Sequence, residues 1–268
     1  MKKVLVSRES AFVKAADSRD AVVQRLQCVE VSDFAAMRQV VLARAAKCNA
    51  LTTSMMREIT QAIGTAGGDT RLVVIRAQGN RVFCAGADLD ENRAGEASLA
   101  GWEQAFQDLA VALDSSAVPV LCCVHGRVLG GGAVLAGLSD VVIARADTVF
   151  AFPEMQLGIY PALVHAALVP RIAASTMFQI FASARHFGAG EAQQLGLVTE
   201  ILPLDGFDEA SSVRAAYFAQ RTEALLLGRE LRAGQPALSV RERMAAVAVR
   251  ASQHFRSEQV RSLRRPVT

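Results

Sequence analysis

The chain has 268 residues, 51% hydrophobic and 21% charged with a net charge of +3, enough for one large buried core or a core plus a smaller appendage. Only four of its 29 basic residues are Lys (2, 3, 14 and 47), its Arg residues are scattered, and it has one Trp and two Tyr, so the basic, ring-interleaved stripe of a nucleic-acid binder is absent from the sequence. Five cysteines (Cys28, Cys48, Cys84, Cys122 and Cys123), an odd number with no C-x-x-C and no His at ligand spacing, argue for a reducing compartment and against zinc, and charges interrupt the stretch from Val4 to Val31, which leaves no signal peptide or membrane-spanning run and makes the cytoplasm the expectation.

Short apolar runs alternate with helical patterns along the chain, the mark of an α/β fold. Residues 1 to about 30 show no recognisable pattern. A strand is expected at 38–43, then a helix at 52–63 with Met56, Ile59 and Ile63 on one face behind Thr52 or Thr53 as N-cap. A second strand is expected at 72–75. Leu99, Trp102, Phe106, Leu109 and Leu113 mark a further helix with Ser98 as candidate cap. That stripe reads as core, with contact between Trp102 and a bound ligand as the alternative. Strands at 118–124 and 141–144 are apolar throughout, which predicts cover on both faces. Past Gly206 the pattern changes to helices alone, 208–231 and 239–260, separated by Gly234-Gln235-Pro236. The organisation expected is an α/β part over 1–205 and a helical part over 206–268.

Three segments carry the chemistry: Phe83-Cys84-Ala85-Gly86-Ala87-Asp88-Leu89, Val128-Leu129-Gly130-Gly131-Gly132 and Phe152-Pro153-Glu154. The first two are Gly-containing turns that each leave an apolar run and open a helical one. Two such turns can aim backbone N–H groups at one point, which is what an oxyanion requires. Glu154, after Pro153 at the mouth of an apolar strand, is the candidate acid/base, with a pKa raised if it is partly desolvated. There is no Walker loop and no G-x-G-x-x-G after a strand, so nucleotide hydrolysis and dinucleotide redox have no support.

In order and spacing these segments resemble the enoyl-CoA hydratase/isomerase (crotonase) superfamily. Lys47-Cys48-Asn49-Ala50-Leu51-Thr52 resembles its early CoA-side loop. Leu157-Gly158-Ile159-Tyr160-Pro161-Ala162 and Glu191-Ala192-Gln193-Gln194-Leu195-Gly196-Leu197-Val198 resemble its later landmarks, so the likeness runs from about 40 to 198. It implies a spiral of repeated ββα units followed by a C-terminal helical trimerisation region, giving a homotrimer or a dimer of trimers. It implies an acyl thioester of coenzyme A or of an acyl-carrier protein as substrate, as in fatty acid metabolism, with no separate cofactor and no metal. The N–H groups of Ala87 and Gly131 become the oxyanion donors, Glu154 the acid/base and Tyr160 a residue that orients a carboxylate or water. The coenzyme A end falls to Lys47, Ala50, Ala85, Gly86, Asp88, Leu89 and Gly130, with Arg241 or Arg243 as phosphate contacts; Asp88 resembles a position held mainly for loop structure. His125 and His165 read as structural.

The departures matter as much. Hydratases of the two-carboxylate kind carry another Glu two residues after the triple Gly, where this chain has Val134. The Gly that usually follows Pro161 is Ala162. The opening hairpin of the family turns on Gly, and Asp33-Phe34-Ala35-Ala36-Met37 takes that place here. Three functions are therefore expected in competition: an enoyl-thioester hydratase/isomerase with one Glu, an acyl-CoA decarboxylase or other lyase, and a non-catalytic thioester-binding subunit.

Overall fold

The computed structural model describes residues 22–92, 96–169 and 171–233. The expected 239–260 helix and Arg241 and Arg243 lie outside them, as does most of the stretch before residue 30. In chain order the described elements are β1 (Val22–Arg25), β2 (Val29–Phe34), β3 (Met37–Leu42), α1 (Thr53–Gly64), β4 (Leu72–Ala77), β5 (Val82–Cys84), α2 (Leu89–Asn92), α3 (Glu96–Asp114), β6 (Val120–Val124), β7 (Arg127–Leu129), α4 (Gly132–Gly137), β8 (Val141–Arg145), β9 (Val149–Ala151), α5 (Ala162–Leu168), α6 (Ala174–Ser183), β10 (His186–Gly188), α7 (Ala189–Gln194), β11 (Glu200–Leu202), α8 (Phe207–Ala219) and α9 (Thr222–Ala233).

The strands form two sheets, one of seven in the order β1-β2-β3-β4-β6-β8-β11 and one of four in the order β10-β9-β7-β5. From β3 to β11 the large sheet is parallel. Its central strands are apolar on both sides because both sides are covered. Val73, Ile75, Cys122, Val124, Val142 and Ala144 face the main core with α1 and α3. Their neighbours Leu72, Val74, Leu121, Cys123, Val141 and Ile143 face a second core with Phe207, Ala215 and Ala219 of α8. The period of two along each strand thus splits one apolar run between two layers. Arg76 Nη1 donates to Ser211 Oγ at 2.9 Å, and Arg229 of α9 pairs with Asp140 and donates to Val118 O at 3.1 Å, so the C-terminal helices are pinned to the sheet.

Helix α1 follows its cap: Thr52 Oγ1 accepts from Met55 N at 3.2 Å, and Met55, Met56, Ile59, Ala62 and Ile63 are buried on one face. In α3 the stripe Trp102, Phe106, Leu109 and Leu113 is buried as expected, but Leu99 is 40% exposed. Ser98 is not a cap either; it lies inside α3 and its hydroxyl donates to Glu91 O at 2.9 Å. The single helix expected at 208–231 is two. Thr222 Oγ1 bonds Arg71 O at 2.7 Å and Ala219 O at 3.0 Å at the break between α8, which ends at Ala219, and α9, which starts at Thr222. Residues 22–30, expected to lie outside the pattern, supply β1 and the start of β2, which extend the large sheet. The β2–β3 hairpin closes with Phe34 opposite Met37, and Ala35 and Ala36 take φ of 47° and 62°, the two left-handed positions of a type I′ turn.

Candidate active site

Strands β5, β7 and β9 run parallel and side by side in the small sheet. Their C-terminal ends lead directly into residues 85–88, 130–132 and 152–154, so three short strands deliver the three chemistry-bearing segments to one edge. Ligands of parallel sheets bind at that end.

Each segment is held there by its own bonds. Leu51 donates its N–H to Gly86 O at 2.7 Å and accepts Asp88 N–H at 3.0 Å. A parallel rung of this kind uses the groups on either side of Ala87, so the N–H of Ala87 itself points the other way. On that other side lies the Gly-rich turn: a β-carbon at Gly86 would stand 3.0 Å from Leu129 O and 3.4 Å from Gly131 N. Gly86, at φ +85°, lets the two loops touch. Residues 87 and 131 are thereby close neighbours, and among the described residues neither N–H is taken up by a backbone carbonyl of a turn, loop or cap. Behind Gly131 stand Phe106 and Leu51, and Phe106 stacks on Trp102 with centroids 5.1 Å apart. Trp102 Nε1 donates to Leu51 O at 2.8 Å, so this Trp braces the rung from within the core.

Glu154 follows β9 in a 3₁₀ turn over Pro153–Leu157. Phe152, just before it, is buried against Phe181 and Phe187, with centroids at 4.6 and 6.1 Å, and Ile159 N returns to Glu154 O at 3.1 Å. The carboxyl lies against Gly130, and its Oε2 is buried with no hydrogen-bond partner among the described residues. Burial pushes the pKa of Glu154 above the usual carboxylate range, a bond from its own backbone only partly opposing this.

Val134 is 1% exposed in α4, so an aliphatic side chain packs where a second carboxylate was sought. The hydroxyl of Tyr160 does not reach Glu154; it is hydrogen-bonded to His165 Nδ1 at 2.6 Å, with the ring beside Phe178 and Phe181. His125 is buried edge-on to Phe83.

On the expected coenzyme side, Lys47 is exposed and pairs with Asp90 at 3.6 Å, Leu89 is 46% exposed, and Ala85 N–H is taken by Cys48 O at 3.0 Å. Gly130 N–H is taken by Ala151 O at 3.0 Å. Asp88 is turned inward: its carboxylate pairs with Arg44 at 3.0 Å and accepts from Asp90 N at 3.2 Å and Glu91 N at 3.4 Å. Burial works against that charge, but Arg44 and the two N–H groups outweigh it and hold the pKa below its ordinary value. Asp88 thus organises the loop rather than offering a free carboxylate to a ligand.

Arg44, Asn49 and Glu91 escaped the sequence reading. Asn49 is fully buried at φ 51°, accepting from Arg44 N at 3.0 Å and donating to Gln78 O at 3.0 Å. Glu91 Oε2 accepts from Thr53 N at 2.9 Å. An Asn just ahead of an apolar pair and a Thr cap is the signal that could have found Asn49; the Arg44–Asp88 and Glu91–Thr53 contacts span 44 and 38 positions and leave no local pattern.

The enoyl-CoA hydratase/isomerase family profile matches residues 34–253. A protein of Rhodobacter capsulatus named "Probable enoyl-CoA hydratase" is 32% identical over 197 residues, 73% of this chain and 76% of its own length. A Mycobacterium tuberculosis protein named "(7aS)-7a-methyl-1,5-dioxo-2,3,5,6,7,7a-hexahydro-1H-indene-carboxyl-CoA hydrolase" is 36% identical over 172 residues, 61% of this chain and 66% of its own length. Among solved structures, enoyl-CoA hydratase subunit I of Geobacillus kaustophilus HTA426 superposes with a TM-score of 0.78 at 26% identity, covering 91% of this chain and 99% of that one. The chain belongs to the enoyl-CoA hydratase/isomerase family and is an enzyme of that type.

Proposed function

We propose that the chain turns over an acyl thioester through an enolate held by the N–H groups of Ala87 and Gly131, with Glu154 as the one acid/base. The observation that carries this reading is the placement of Glu154: its carboxyl lies against Gly130, beside Gly131, with one oxygen buried and unpartnered among the described residues. In isomerisation the α C–H bond breaks, its electron pair moves onto the thioester oxygen, and the proton passes to the Glu154 carboxylate. Return of the same proton to the γ-carbon completes the reaction. In hydration, water adds to the β-carbon while Glu154 takes its proton, and Glu154 then gives that proton to the α-carbon of the enolate and returns to the carboxylate. Each hole donor is worth about 2.7–4 kcal/mol of barrier in comparable sites.

The substrate carries its own coenzyme A or pantetheine arm, laid along Lys47, Ala50, Ala85, Gly86, Leu89 and Gly130, with Asp88 shaping the loop. Helices α8 and α9 belong to the part expected to assemble trimers, which sedimentation of the intact chain tests.

The function is tested with Glu154→Gln, which keeps the shape and removes the base. Turnover of crotonyl-CoA should fall by about 100- to 10,000-fold while acetoacetyl-CoA still binds. Retained full activity refutes the role of Glu154. The buried Val134 favours a second reading, a lyase in which the same hole stabilises the enolate left by CO₂ loss and a second carboxylate is not needed. Carbon dioxide release from a malonyl-type thioester, without water addition to crotonyl-CoA, would establish it instead.

A further inference from the structure

We propose that Arg44 is a positioning residue that couples the nucleotide end of the thioester to the oxyanion donor Ala87; the inference rests on the reading of the site given above. One guanidinium joins two loops. Its Nη1 donates to Ala50 O in the loop expected to receive the coenzyme, and its Nη2 donates to the carboxylate of Asp88, one residue past Ala87, at 3.0 Å. The side chains are only 19% and 11% exposed, so the pair is little screened by solvent. Lys47 and Asp90 span the same loops, but at 65% and 77% exposure and 3.6 Å, which makes that contact weak.

The base of the first loop is tied to Arg44 as well. Arg44 O accepts from Lys47 N at 2.8 Å and from Asn49 N at 3.0 Å. Any ligand that settles residues 47–50 therefore fixes the backbone from which the guanidinium projects, and through Asp88 it fixes the turn that aims Ala87. Binding energy from a part of the substrate far from the reacting carbon is in this way spent on aligning a donor that acts on the developing charge. A flat, forked cation suits the task, since Lys can satisfy Ala50 O or Asp88 but not both in one geometry.

The test compares acetoacetyl-CoA with acetoacetyl-pantetheine, reading the enolate absorbance of each at saturation in the wild type, Arg44→Met and Arg44→Lys, with the thermal midpoint of each protein alongside. In the wild type the full coenzyme ester should hold an enolate fraction about 5-fold or more above that of the pantetheine ester. Arg44→Met should bring the coenzyme value down to the pantetheine value, and Arg44→Lys, which keeps the charge and the fold, should recover part of the difference. A difference between the esters that survives in both variants overturns the coupling. So does an equal fall for both esters that follows the thermal midpoint, since Arg44 is then a structural brace. A wild type that forms enolate equally with both esters also refutes the coupling alone. A wild type that forms none with either removes the oxyanion hole, and the coupling with it.

Discussion

Glu154 rests on Gly130 with no room for a side chain between them: a β-carbon at 130 would overlap Glu154 Oε1 and stand 3.1 Å from its carboxyl carbon. Gly130 also sits at φ +47°. Gly130→Ala therefore meets two costs, about 1–2 kcal/mol of left-handed strain and about 1–3 kcal/mol of overpacking. Since the carboxyl is what has to move, turnover should fall by about 100-fold, as an ångström of misplacement commonly does. Urea unfolding together with steady-state rates on crotonyl-CoA checks both effects. An alanine variant with wild-type stability and turnover would show that the carboxyl is not held where it is needed.

Burial raises the pKa of Glu154, and the sign of the pH dependence follows. Proton abstraction needs the carboxylate, so kcat/KM on a substrate isomerised by proton removal should climb with pH through a value above the ordinary Glu range of about 4.3. Stability should move the opposite way. Between the ordinary and the raised value the folded protein binds more protons than the unfolded one, so folding stability falls as pH rises through that window and levels off above it. Glu154→Gln removes this slope. Unfolding midpoints across the acidic range should therefore show the variant gaining on the wild type as pH rises, and parallel curves would mean that the carboxyl is not desolvated.

The large sheet was legible because its central strands carry continuous apolar runs of four or five residues, Leu72–Ile75, Val120–Val124 and Val141–Ala144, and α1 because a Thr cap precedes a clean helical stripe. The small sheet was not. Strands β5, β7 and β9 have three residues each, too few for any period to show, yet they are what bring residues 87, 131 and 154 to one edge. The identities at the site came from motif order, while the bonds that hold it came from contacts such as Arg44–Asp88 and Trp102–Leu51, at separations of 44 and 51 residues. The break between α8 and α9 was hidden for the same reason: the partner at that break, Arg71 O, is 151 residues away from Thr222. Leu99 was misplaced because an apolar residue at helical spacing near the start of a helix can overhang the core it points toward.

The β2–β3 turn offers a stability prediction independent of the site. Ala35 and Ala36 occupy left-handed positions at φ 47° and 62°, where a β-carbon costs roughly 1–2 kcal/mol per residue. Asn and Gly are the residues that type I′ turns favour. Ala36→Gly alone should stabilise the protein by about 1 kcal/mol, and Ala35→Asn with Ala36→Gly by somewhat more, less the extra freedom that Gly gives the unfolded chain. Neither should change turnover, because the turn lies at the end of β3 opposite the one that leads into the Arg44 loop. Chemical denaturation of the three proteins measures this, and a loss of stability would mean that the turn adopts another geometry.

Trp102 separates a packing role from a positioning one. Its indole is buried against Phe106 while its N–H reaches Leu51 O, the same carbonyl that accepts Asp88 N–H at 3.0 Å. Trp102→Phe keeps a stacked ring and removes that one donor. The lost hydrogen bond should cost about 0.5–1.5 kcal/mol of stability. Freed from the indole, Leu51 can shift its carbonyl, and the rung that turns Ala87 N–H toward Gly131 loosens with it. The effect on catalysis should then fall on kcat, with KM for the thioester close to wild type, because the hole acts on the charge that builds in the transition state and little on the ground-state ester. If Trp102 instead touched the acyl chain, the same substitution would raise KM in proportion to chain length, so rates measured on esters of four, eight and twelve carbons discriminate between the two roles.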